Sequence, residues 1–296
     1  MNASGWRQAW AGCLLLGLAA CRTALPPPEP LPPPVPMTSE QARAAGLDPL
    51  IAHLVTSAHR TPAFRQRDTG RHPAQTLTFF GIDPHDTIVE IWPGGGWYTE
   101  LLAPFVRDWG QYYAALPPVE DPSGDSFFAG QRRQFLGKLN SRPDLYGRVR
   151  IAEAGRGVSE IVPADTADYV LSFRNVHNWM VGGYESEMFR AFHLALKPGG
   201  VLGIVEHRAL PNTDLETMKR TGYVTEAYVR ELAEAAGFEL LDASEVNANA
   251  KDSTEHPEGV WTLPPTLRLG EQDRERYLSI GESDRMTLKF SKPRWR

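Results

Sequence analysis

The sequence predicts an α/β fold, in which a mostly parallel sheet carries helices on both faces. From Thr87 onward, short runs rich in β-branched residues alternate with helical segments, a pattern typical of parallel strands joined by helices. A glycine-rich turn between the first of these strands and its helix is the second indication. With 296 residues, of which 42% are hydrophobic and 23% charged, the chain has the size and composition of a globular α/β protein.

The N-terminal segment is predicted to be a targeting signal that is separate from the fold. Arg7 is its only charged residue, and the apolar run over residues 11–20 is too short to span a bilayer as a helix. Leu18-Ala-Ala-Cys21 resembles the lipobox of bacterial lipoproteins. That resemblance implies removal of the signal peptide, residues 1–20, and lipid attachment at Cys21, where several acyl chains together would hold the chain at a membrane. The alternative is an ordinary signal peptide with an incidental cysteine.

Residues 21–37 are predicted to carry the lipid and a spacer, and residues 38–296 a domain with an N-terminal helical extension. Eight of the eleven residues 26–36 are proline, and such a run adopts an extended polyproline II conformation. Arg22 follows Cys21, which in lipoproteins of this type implies the outer membrane, facing the periplasm. Because Cys13 and Cys21 are the only cysteines, no internal disulfide and no cysteine nucleophile are expected in the mature domain.

The elements are predicted in the following order. A helix is expected over residues 39–60, with a break near 46–49, and a second over 74–80. The first strand, 87–92, contains Ile88, Val89 and Ile91 and leads into a helix over 98–106. Lys197-Pro-Gly-Gly200 predicts the end of a later helix. The remaining strands are predicted at 111–116, 148–153, 169–173, 201–206, 238–246 and 286–291, and the remaining helices at 126–139, 184–196 and 225–236.

The loop Gly94-Gly-Gly96 predicts a ligand-binding crevice at the carboxyl end of the first strand. Glycines let the backbone turn sharply and let a ligand approach it, and the free N–H groups of the next helix point to the same place. The dinucleotide fingerprint requires a third glycine three residues after Gly96, but Thr99 occupies that position. A nucleotide-dependent oxidoreductase is therefore less favoured.

Glu90 and Gly94-Gly-Gly96 resemble the first motif of the class I S-adenosylmethionine (SAM)-dependent methyltransferases. The turn Leu196-Lys-Pro-Gly-Gly-Val-Leu202 and the segment Ala235-Ala-Gly-Phe238 are similar to further marks of that family, and the resemblance covers residues 76–293. It implies a Rossmann-like, seven-stranded sheet, with the last strand antiparallel between the fifth and sixth, and S-adenosyl-L-methionine as cofactor. A strand-to-helix turn that binds another ligand is the alternative.

The segment Ser172-Phe-Arg-Asn-Val-His-Asn-Trp179 follows the fourth strand and is rich in hydrogen-bonding side chains. In the family it resembles, this position faces the substrate or carries catalysis. His177 could accept a proton from an attacking oxygen or nitrogen. Arg174 could bind an anionic substrate or the cofactor carboxylate, and Asn175 could orient either. A purely loop-stabilising role for His177 and Arg174 remains the alternative.

Glu206 and His207 end the fifth strand, which is expected to lie beside the fourth. They are therefore expected to face His177, where Glu206 would complete an acid–base pair. Two histidines and a carboxylate could also hold a metal ion. No local ligand spacing supports a metal, so none is predicted.

The cofactor is expected against the glycine loop and the carboxyl ends of the strands. In the methyltransferase family that this chain resembles, the second strand ends with an acid that binds the ribose hydroxyls. In this chain the second predicted strand ends Ala114-Ala-Leu-Pro-Pro118. The nearest acids are Glu120 and Asp121, four and five residues after Leu116. Glu153, which ends the third predicted strand, is expected near the adenine. The predicted cofactor-binding residues are Glu90, Gly94, Gly95, Gly96, Tyr98, Glu120, Asp121, Glu153 and Ser172.

Three further groups of charged and aromatic residues are expected to be structural or to have a role at the site. Asp284 and Arg285 are expected to form an ion pair that fixes a turn. Four tryptophans either line a pocket for an apolar or planar substrate or pack in the core: Trp92, Trp97, Trp179 and Trp261. A basic segment is interpreted as solvated, with a functional lid as the alternative: His59, Arg60, Arg65, Arg67, Arg71 and His72.

Charge and motifs lead to one predicted function and one alternative. The net charge of −5 and the absence of a lysine-rich tail argue against nucleic acid as a partner. The prediction is SAM-dependent methyl transfer to a small molecule or an envelope component by a lipid-anchored protein. The alternative is a ligand-binding lipoprotein that keeps the fold without the reaction, because SAM is made in the cytoplasm and the expected ribose-binding acid is missing.

Overall fold

The computed structural model describes residues 36–294, so the predicted signal peptide, Cys21 and most of the proline-rich spacer lie outside the described residues. Across residues 36–294, no helix is long and apolar enough to cross a membrane. The strands of this part form one sheet. They are β1 (Thr87–Ile91), β2 (Gln111–Leu116), β3 (Arg150–Glu153), β4 (Ala167–Phe173), β5 (Leu196–His207), β6 (Glu239–Ser244) and β7 (Arg285–Ser291).

Short helices precede the sheet, and longer ones connect its strands. The early helices are α1 (Ser39–Ala44), α2 (Pro49–Val55), α3 (Pro62–Arg65), α4 (Asp68–Arg71) and α5 (Pro73–Phe80). The later helices are α6 (Thr99–Val106), α7 (Phe127–Ser141), α8 (Pro143–Tyr146), α9 (Val176–Gly182), α10 (Glu185–Ala195), α11 (Leu215–Thr221), α12 (Glu226–Ala235) and α13 (Arg274–Ile280), with a 3₁₀ turn at Gly259–Thr262.

The sheet has the strand order β3-β2-β1-β4-β5-β7-β6. The first five strands are parallel to one another, and β7 runs antiparallel between β5 and β6. This arrangement confirms the predicted α/β fold, including the antiparallel last strand that the family resemblance implied. The carboxyl ends of β1, β4 and β5 therefore meet at one edge of the sheet, where parallel α/β proteins bind ligands.

Alternate residues along the strands bury two separate cores, one on each face of the sheet. Ile88 of β1 packs in the core that Leu101 and Phe135 cover from α6 and α7. Its neighbour Val89 packs in the core that contains Trp179 and helices α10 and α12. Helices thus cover both faces as predicted, and each fully buried side chain of this size contributes about 1.5–3 kcal/mol.

The clearest differences between the predicted and the observed elements lie at the end of α2, in α9 and at the start of β5. The break predicted near residues 46–49 is confirmed, because Asp48 precedes a proline and adopts an extended conformation that caps α2, but α2 ends at Val55 rather than near residue 60. Residues 176–182, predicted as loop, form helix α9. Strand β5 begins at Leu196 rather than Val201, since Leu196 already pairs with Ala167 across an irregularity in the ladder.

The basic segment before β1 is packed into the fold, so its interpretation as solvated is wrong for its key residues. Arg60 is 1% exposed and Arg71 is 3% exposed. The guanidinium of Arg60 donates to Asp68 at 3.0 Å and to Glu100 of α6 at 3.3 Å. Glu100 also accepts a hydrogen bond from the backbone N–H of Thr61 at 3.0 Å. These buried contacts hold the N-terminal helices against the domain.

The expected ion pair between Asp284 and Arg285 is also wrong. Asp284 instead accepts hydrogen bonds from Arg208 at 2.9 and 3.1 Å. Arg285 donates to Glu282 at 3.3 Å. Asp284 lies just before β7 and Arg285 is the first residue of that strand, and the two side chains reach different partners.

Glu90 is a buried acid that ties β1 to β2 and α6 directly below the glycine loop. Its Oε2 accepts hydrogen bonds from the Thr99 hydroxyl at 3.0 Å and from the Tyr112 hydroxyl. Burial raises the pKa of Glu90 to about 7, although both hydrogen bonds lower it in part. The unfolded chain loses this proton near its ordinary value of 4.5. The folded state therefore binds more protons between these values, and stability falls as the pH rises from about 4.5 to about 7.

We predict that Glu90→Gln stabilises the protein at high pH and has little effect at low pH. Glutamine keeps an acceptor oxygen for Thr99 and Tyr112 and has no charge to bury. The difference in unfolding free energy from the wild type should grow from near zero around pH 4.5 to about 3 kcal/mol around pH 8. Urea unfolding at these pH values measures it, with the exposed Glu216→Gln as control. A difference that does not change with pH would contradict this assignment.

Candidate functional site

A cleft of about 400 Å³ opens at the carboxyl ends of β1 and β4. One wall is the glycine loop, and the opposite wall is the segment after β4. Arg67 and Arg71 close the cleft from the N-terminal helices, while α7 contributes Phe127, Phe128 and Gln131. The sequence predicted a crevice at this edge of the sheet, and the structure places it there.

The glycine loop has the backbone conformations that its sequence predicts. Gly94 and Gly96 have φ values of 59° and 83°, in the left-handed region that favours glycine. A Cβ atom on Gly96 would lie 3.2 Å from Phe135 and Lys138, so Gly96 packs the loop onto α7 rather than lining the cleft. Gly94 and Gly95 form the cleft wall. Gly95 has an ordinary conformation, and a Cβ atom added to it would lie 3.5 Å from the Phe64 ring.

His177 and Glu206 form a buried pair across the ends of β4 and β5. Nδ1 of His177 lies 3.0 Å from Oε1 of Glu206, and the backbone N–H of His207 donates to the same oxygen at 2.8 Å. Glu206 is fully buried, whereas the His177 ring lines the cleft. A carboxylate beside Nδ1 fixes the proton there and leaves Nε2 as an acceptor. The geometry confirms that Glu206 and His177 face each other.

His207 completes a cluster of three buried groups whose ligand atoms lie within 4.8 Å of one another, close enough to hold a metal ion. Nδ1 of His207 lies 2.5 Å from the Ser283 hydroxyl. Burial lowers the pKa of His207 well below its ordinary value, and the nearby His177 lowers it further, so His207 is neutral at pH 7. Both oxygens of Glu206 already accept N–H donors, and this engagement favours a hydrogen-bonded pair over a metal site.

Arg174 and Asn175 lie on the same wall of the cleft as His177. The Asn175 amide donates to the carbonyl of Ile91 at 2.9 Å and to the Ser172 hydroxyl at 3.3 Å. Asn175 and Ser172 therefore fasten the end of β4 to the end of β1. No hydrogen bond or ion pair within residues 36–294 involves the Arg174 guanidinium. Burial lowers the pKa of Arg174 to about 10.

The predicted cofactor-binding residues are divided between the cleft and its surroundings. Glu90, Gly94, Gly95 and Tyr98 line the cleft. The Tyr98 ring stacks on Phe173, with centroids 3.5 Å apart. The glycine loop and the first residues of α6 thus pack directly against the end of β4.

The acids expected near the ribose and the adenine lie away from the cleft. Glu120 lines a neighbouring cavity of about 340 Å³. Asp121 is exposed and accepts hydrogen bonds from Ser123 of its own turn. Glu153 forms an ion pair of 3.0 Å with Arg132. The structure therefore does not bring Asp121 and Glu153 to the cleft.

Three of the four tryptophans lie at the cleft, and the fourth is in the core. Trp92, Trp97 and Trp261 line the cleft, whereas Trp179 is fully buried. Trp92 has a φ of 50°, and its ring packs 5.3 Å from that of Phe128. Both rings also line the 340 Å³ cavity, so they form the partition between the two spaces.

An acid that was not among the predicted site residues, Glu282, lies behind the basic residues of the cleft. Glu282 accepts hydrogen bonds from Arg67 at 2.6 Å and from Arg71 at 3.0 Å. More than two hundred residues separate Glu282 from these arginines. The sequence shows that residues 281–285 are polar, but it does not show that Glu282 binds Arg67 and Arg71.

Comparison with known proteins identifies the fold and little more. No protein-family model and no curated protein matches the sequence. A SAM-dependent methyltransferase from Aquifex aeolicus has a TM-score of 0.51 and 16% identity, over 77% of this chain and 93% of that one. The cyclase SpnF has a TM-score of 0.53 and 19% identity, over 88% of this chain and 98% of that one. The chain therefore has the Rossmann-like fold of the class I SAM-dependent methyltransferases.

Proposed function

We propose that this protein transfers a methyl group from S-adenosylmethionine to a small-molecule acceptor. One observation carries the proposal: a single cleft combines the glycine loop after β1 with the His177–Glu206 pair from the ends of β4 and β5. A methyl transfer requires a bound donor, a positioned acceptor and, for most acceptors, a base. The chain has a candidate for each.

The residues around the cleft fit the proposed cofactor. Gly94 and Gly95 let a ligand approach the backbone closely, and Tyr98 and Trp92 supply aromatic walls. The 400 Å³ cleft and the 340 Å³ cavity share the Trp92–Phe128 partition, so an elongated ligand with two unlike ends has a space for each end. Glu120, on the wall of the second space, is the acid available to ribose hydroxyls.

Bound SAM would supply an electrophilic methyl group, and the chain supplies orientation and a base. Nε2 of His177 accepts the proton of the attacking oxygen or nitrogen. Glu206 holds the Nδ1 proton and stabilises the positive charge that the ring then acquires. Because the low pKa of His207 keeps it neutral, that ring adds no positive charge beside protonated His177. Asn175 keeps the end of β4 in register with the glycine loop.

A ligand-binding protein without turnover is the second candidate. It is supported by the positions of Asp121 and Glu153, which both bind other residues outside the cleft. The fold also leaves the reaction open, since one matching structure is described as a cyclase. SAM binding without product formation would favour this candidate.

We further propose that the protein acts in the bacterial envelope, anchored by lipid at Cys21 and facing the periplasm from the outer membrane. The lipobox-like Leu18-Ala-Ala-Cys21, the absence of other cysteines except Cys13, and the proline-rich spacer support this placement. A periplasmic enzyme would need SAM from outside the cytoplasm. Identification of the ligand that copurifies with the native protein therefore tests compartment and cofactor together.

We predict that Gly95→Ala weakens SAM binding without unfolding the protein. The new methyl group stays in ordinary contact with Phe64 but occupies the wall that the ligand approaches. Calorimetric titration with SAM should show about tenfold weaker binding, equivalent to about 1.4 kcal/mol. Gly130→Ala, whose Cβ position is open, is the matched control. No binding of SAM by the wild type at millimolar concentration would overturn the proposed function.

We predict that His177→Asn lowers turnover by about 10²- to 10⁴-fold while SAM still binds, because it removes the base. Glu206→Gln should lower turnover less, since it keeps the shape but loses the charge that stabilises protonated His177. Methyl product formation with a candidate acceptor measures both. His53→Asn, at an exposed position of α2, is the control. Wild-type rates in His177→Asn would exclude it as the base.

We predict that Cys21→Ser abolishes lipid labelling and releases the protein from membranes. Serine lacks the thiol to which the acyl group attaches. Metabolic labelling with a fatty acid, followed by cell fractionation, measures the effect. Cys13→Ser, inside the predicted signal, should be labelled normally. Equal membrane association of the Cys21→Ser variant and the wild type would contradict lipid anchoring at this residue.

A further inference from the structure

Four arginines converge beside the cleft, and this arginine cluster consists of Arg67, Arg71, Arg174 and Arg285. Arg67, Arg71 and Arg174 line the cleft itself. Arg285 lines the adjoining cavity of about 480 Å³, together with Arg67. Arg67 and Arg71 flank and end helix α4, whereas Arg174 follows β4 and Arg285 begins β7, so the cluster exists only in the folded chain.

Glu282 is the acid that pairs with this cluster. It accepts from Arg67 at 2.6 Å, from Arg71 at 3.0 Å and from Arg285 at 3.3 Å. Burial by itself raises the pKa of Glu282, but the arginines, Arg71 first, lower it to about 2. Glu282 is therefore fully charged at neutral pH, and this one carboxylate pairs with three of the four guanidinium groups.

Several donors of the cluster have no partner. Nη2 of Arg67 and Nη2 of Arg71 are enclosed and lack a hydrogen-bond partner among residues 36–294. The Arg71 side chain is only 4% exposed. Arg174 has no ion pair or side-chain hydrogen bond in the described chain, and its side chain lines the cleft. A buried unpaired donor, and above all a charged one, is unfavourable until an acceptor satisfies it.

The charges show the same imbalance. Burial, together with the charge of Arg174, lowers the pKa of Arg71 to about 9 although Glu282 acts in the opposite direction. Burial also lowers the pKa of Arg285. The Arg71 guanidinium lies 4.8 Å from the centroid of the Trp97 ring. This cation–π contact compensates part of the free-energy cost of burying the charged guanidinium. The arginines remain charged at pH 7. The cluster therefore has a positive electrostatic potential that attracts an anion.

The proposed cofactor does not balance this charge. SAM carries one carboxylate but also a sulfonium and an ammonium group, so its net charge is positive. Glu90, the acid on the cleft wall, carries no full charge at neutral pH because burial raises its pKa to about 7. Glu206 also acts on Arg174, but Glu206 and Glu282 together give two carboxylates against four guanidinium groups, so a negatively charged ligand brings the cleft closer to neutrality.

We propose, on the basis of the proposed function, that the methyl acceptor is an anion whose carboxylate or phosphate group binds Arg71 and Arg174, with Arg67 beside them. Arginine suits this role because its planar fork of donors matches both oxyanions. The His177 ring lines the same cleft, so the anionic group fixes one end of the acceptor while its nucleophile faces the base. Neutral acceptors of the same shape are excluded by the unpaired arginines.

The first experiment titrates the full-length protein with inorganic phosphate and, separately, with acetate, at constant ionic strength. We expect at least one anion to bind and to raise the melting temperature. Arg174→Gln should weaken binding about tenfold or more, because a charge-assisted hydrogen bond is lost and Arg174 has no internal partner to leave unpaired. Arg220→Gln, an exposed arginine on α11, is the matched control.

A second variant, Arg67→Gln, keeps the proposal testable if Arg174→Gln does not fold. Arg67→Gln changes a residue whose side chain is 23% exposed and should also weaken anion binding. Phosphate and acetate effects that are equal in the wild type, Arg174→Gln and Arg67→Gln would overturn the proposal. Binding at high anion concentration that all variants share marks an adventitious ion only, and this result also overturns it.

The same titration with saturating SAM distinguishes the acceptor from the cofactor. Simultaneous binding of anion and SAM supports an acceptor site, whereas competition assigns the arginines to the cofactor carboxylate and overturns the proposal. If the protein binds the anion through Arg174 but does not bind SAM, the proposed methyl transfer is refuted and the proposed anion site is not. The anion site would then stand as the binding site of another activity.

Discussion

The parallel pairing of β1 with β4 and of β4 with β5 is the constraint on which the whole site depends. Ile91 pairs with Ser172 and Phe173 pairs with Val205, so three strand ends reach the same edge of the sheet. The glycine loop, the segment with His177, and Glu206 follow from these ends. A shift of one residue in β5 would turn Glu206 to the opposite face and separate it from His177.

Buried carboxylates make the N-terminal helices part of the site rather than a spacer. Glu100 holds Arg60 and the backbone of Thr61, and Glu282 holds Arg67 and Arg71. Burying such charges is costly, and a partner removed from one of them leaves the other unpaired. The N-terminal segment is thereby fixed over the cleft, where Arg67 and Arg71 line the wall. The residues that dock these helices are therefore also those that we propose to select an anionic ligand.

The two sides of the cleft divide the chemistry between them. The side formed by β4 and β5 holds a histidine whose proton is positioned by Glu206 and whose neighbour His207 is neutral. The side formed by the N-terminal helices is positively charged through Arg67 and Arg71 of the arginine cluster, while Trp92 and Phe128 separate two spaces for an elongated ligand. This division explains why the fold alone does not define the reaction: the fold positions strand ends, and the side chains at those ends select the ligand and the proton transfer.

The sequence by itself determined the strands, the glycine loop and the segment with His177, because β-branched runs, glycines and dense polar residues are local signals. It also indicated that Glu206 and His177 would meet, since neighbouring parallel strands end together. Only the tertiary structure decided that Arg71 is buried and that Glu282, not Asp284, partners Arg285. It likewise placed Asp121 and Glu153 away from the cleft. These outcomes depend on contacts between residues far apart in the chain, and no local pattern records which of several arginines and acids will pack together.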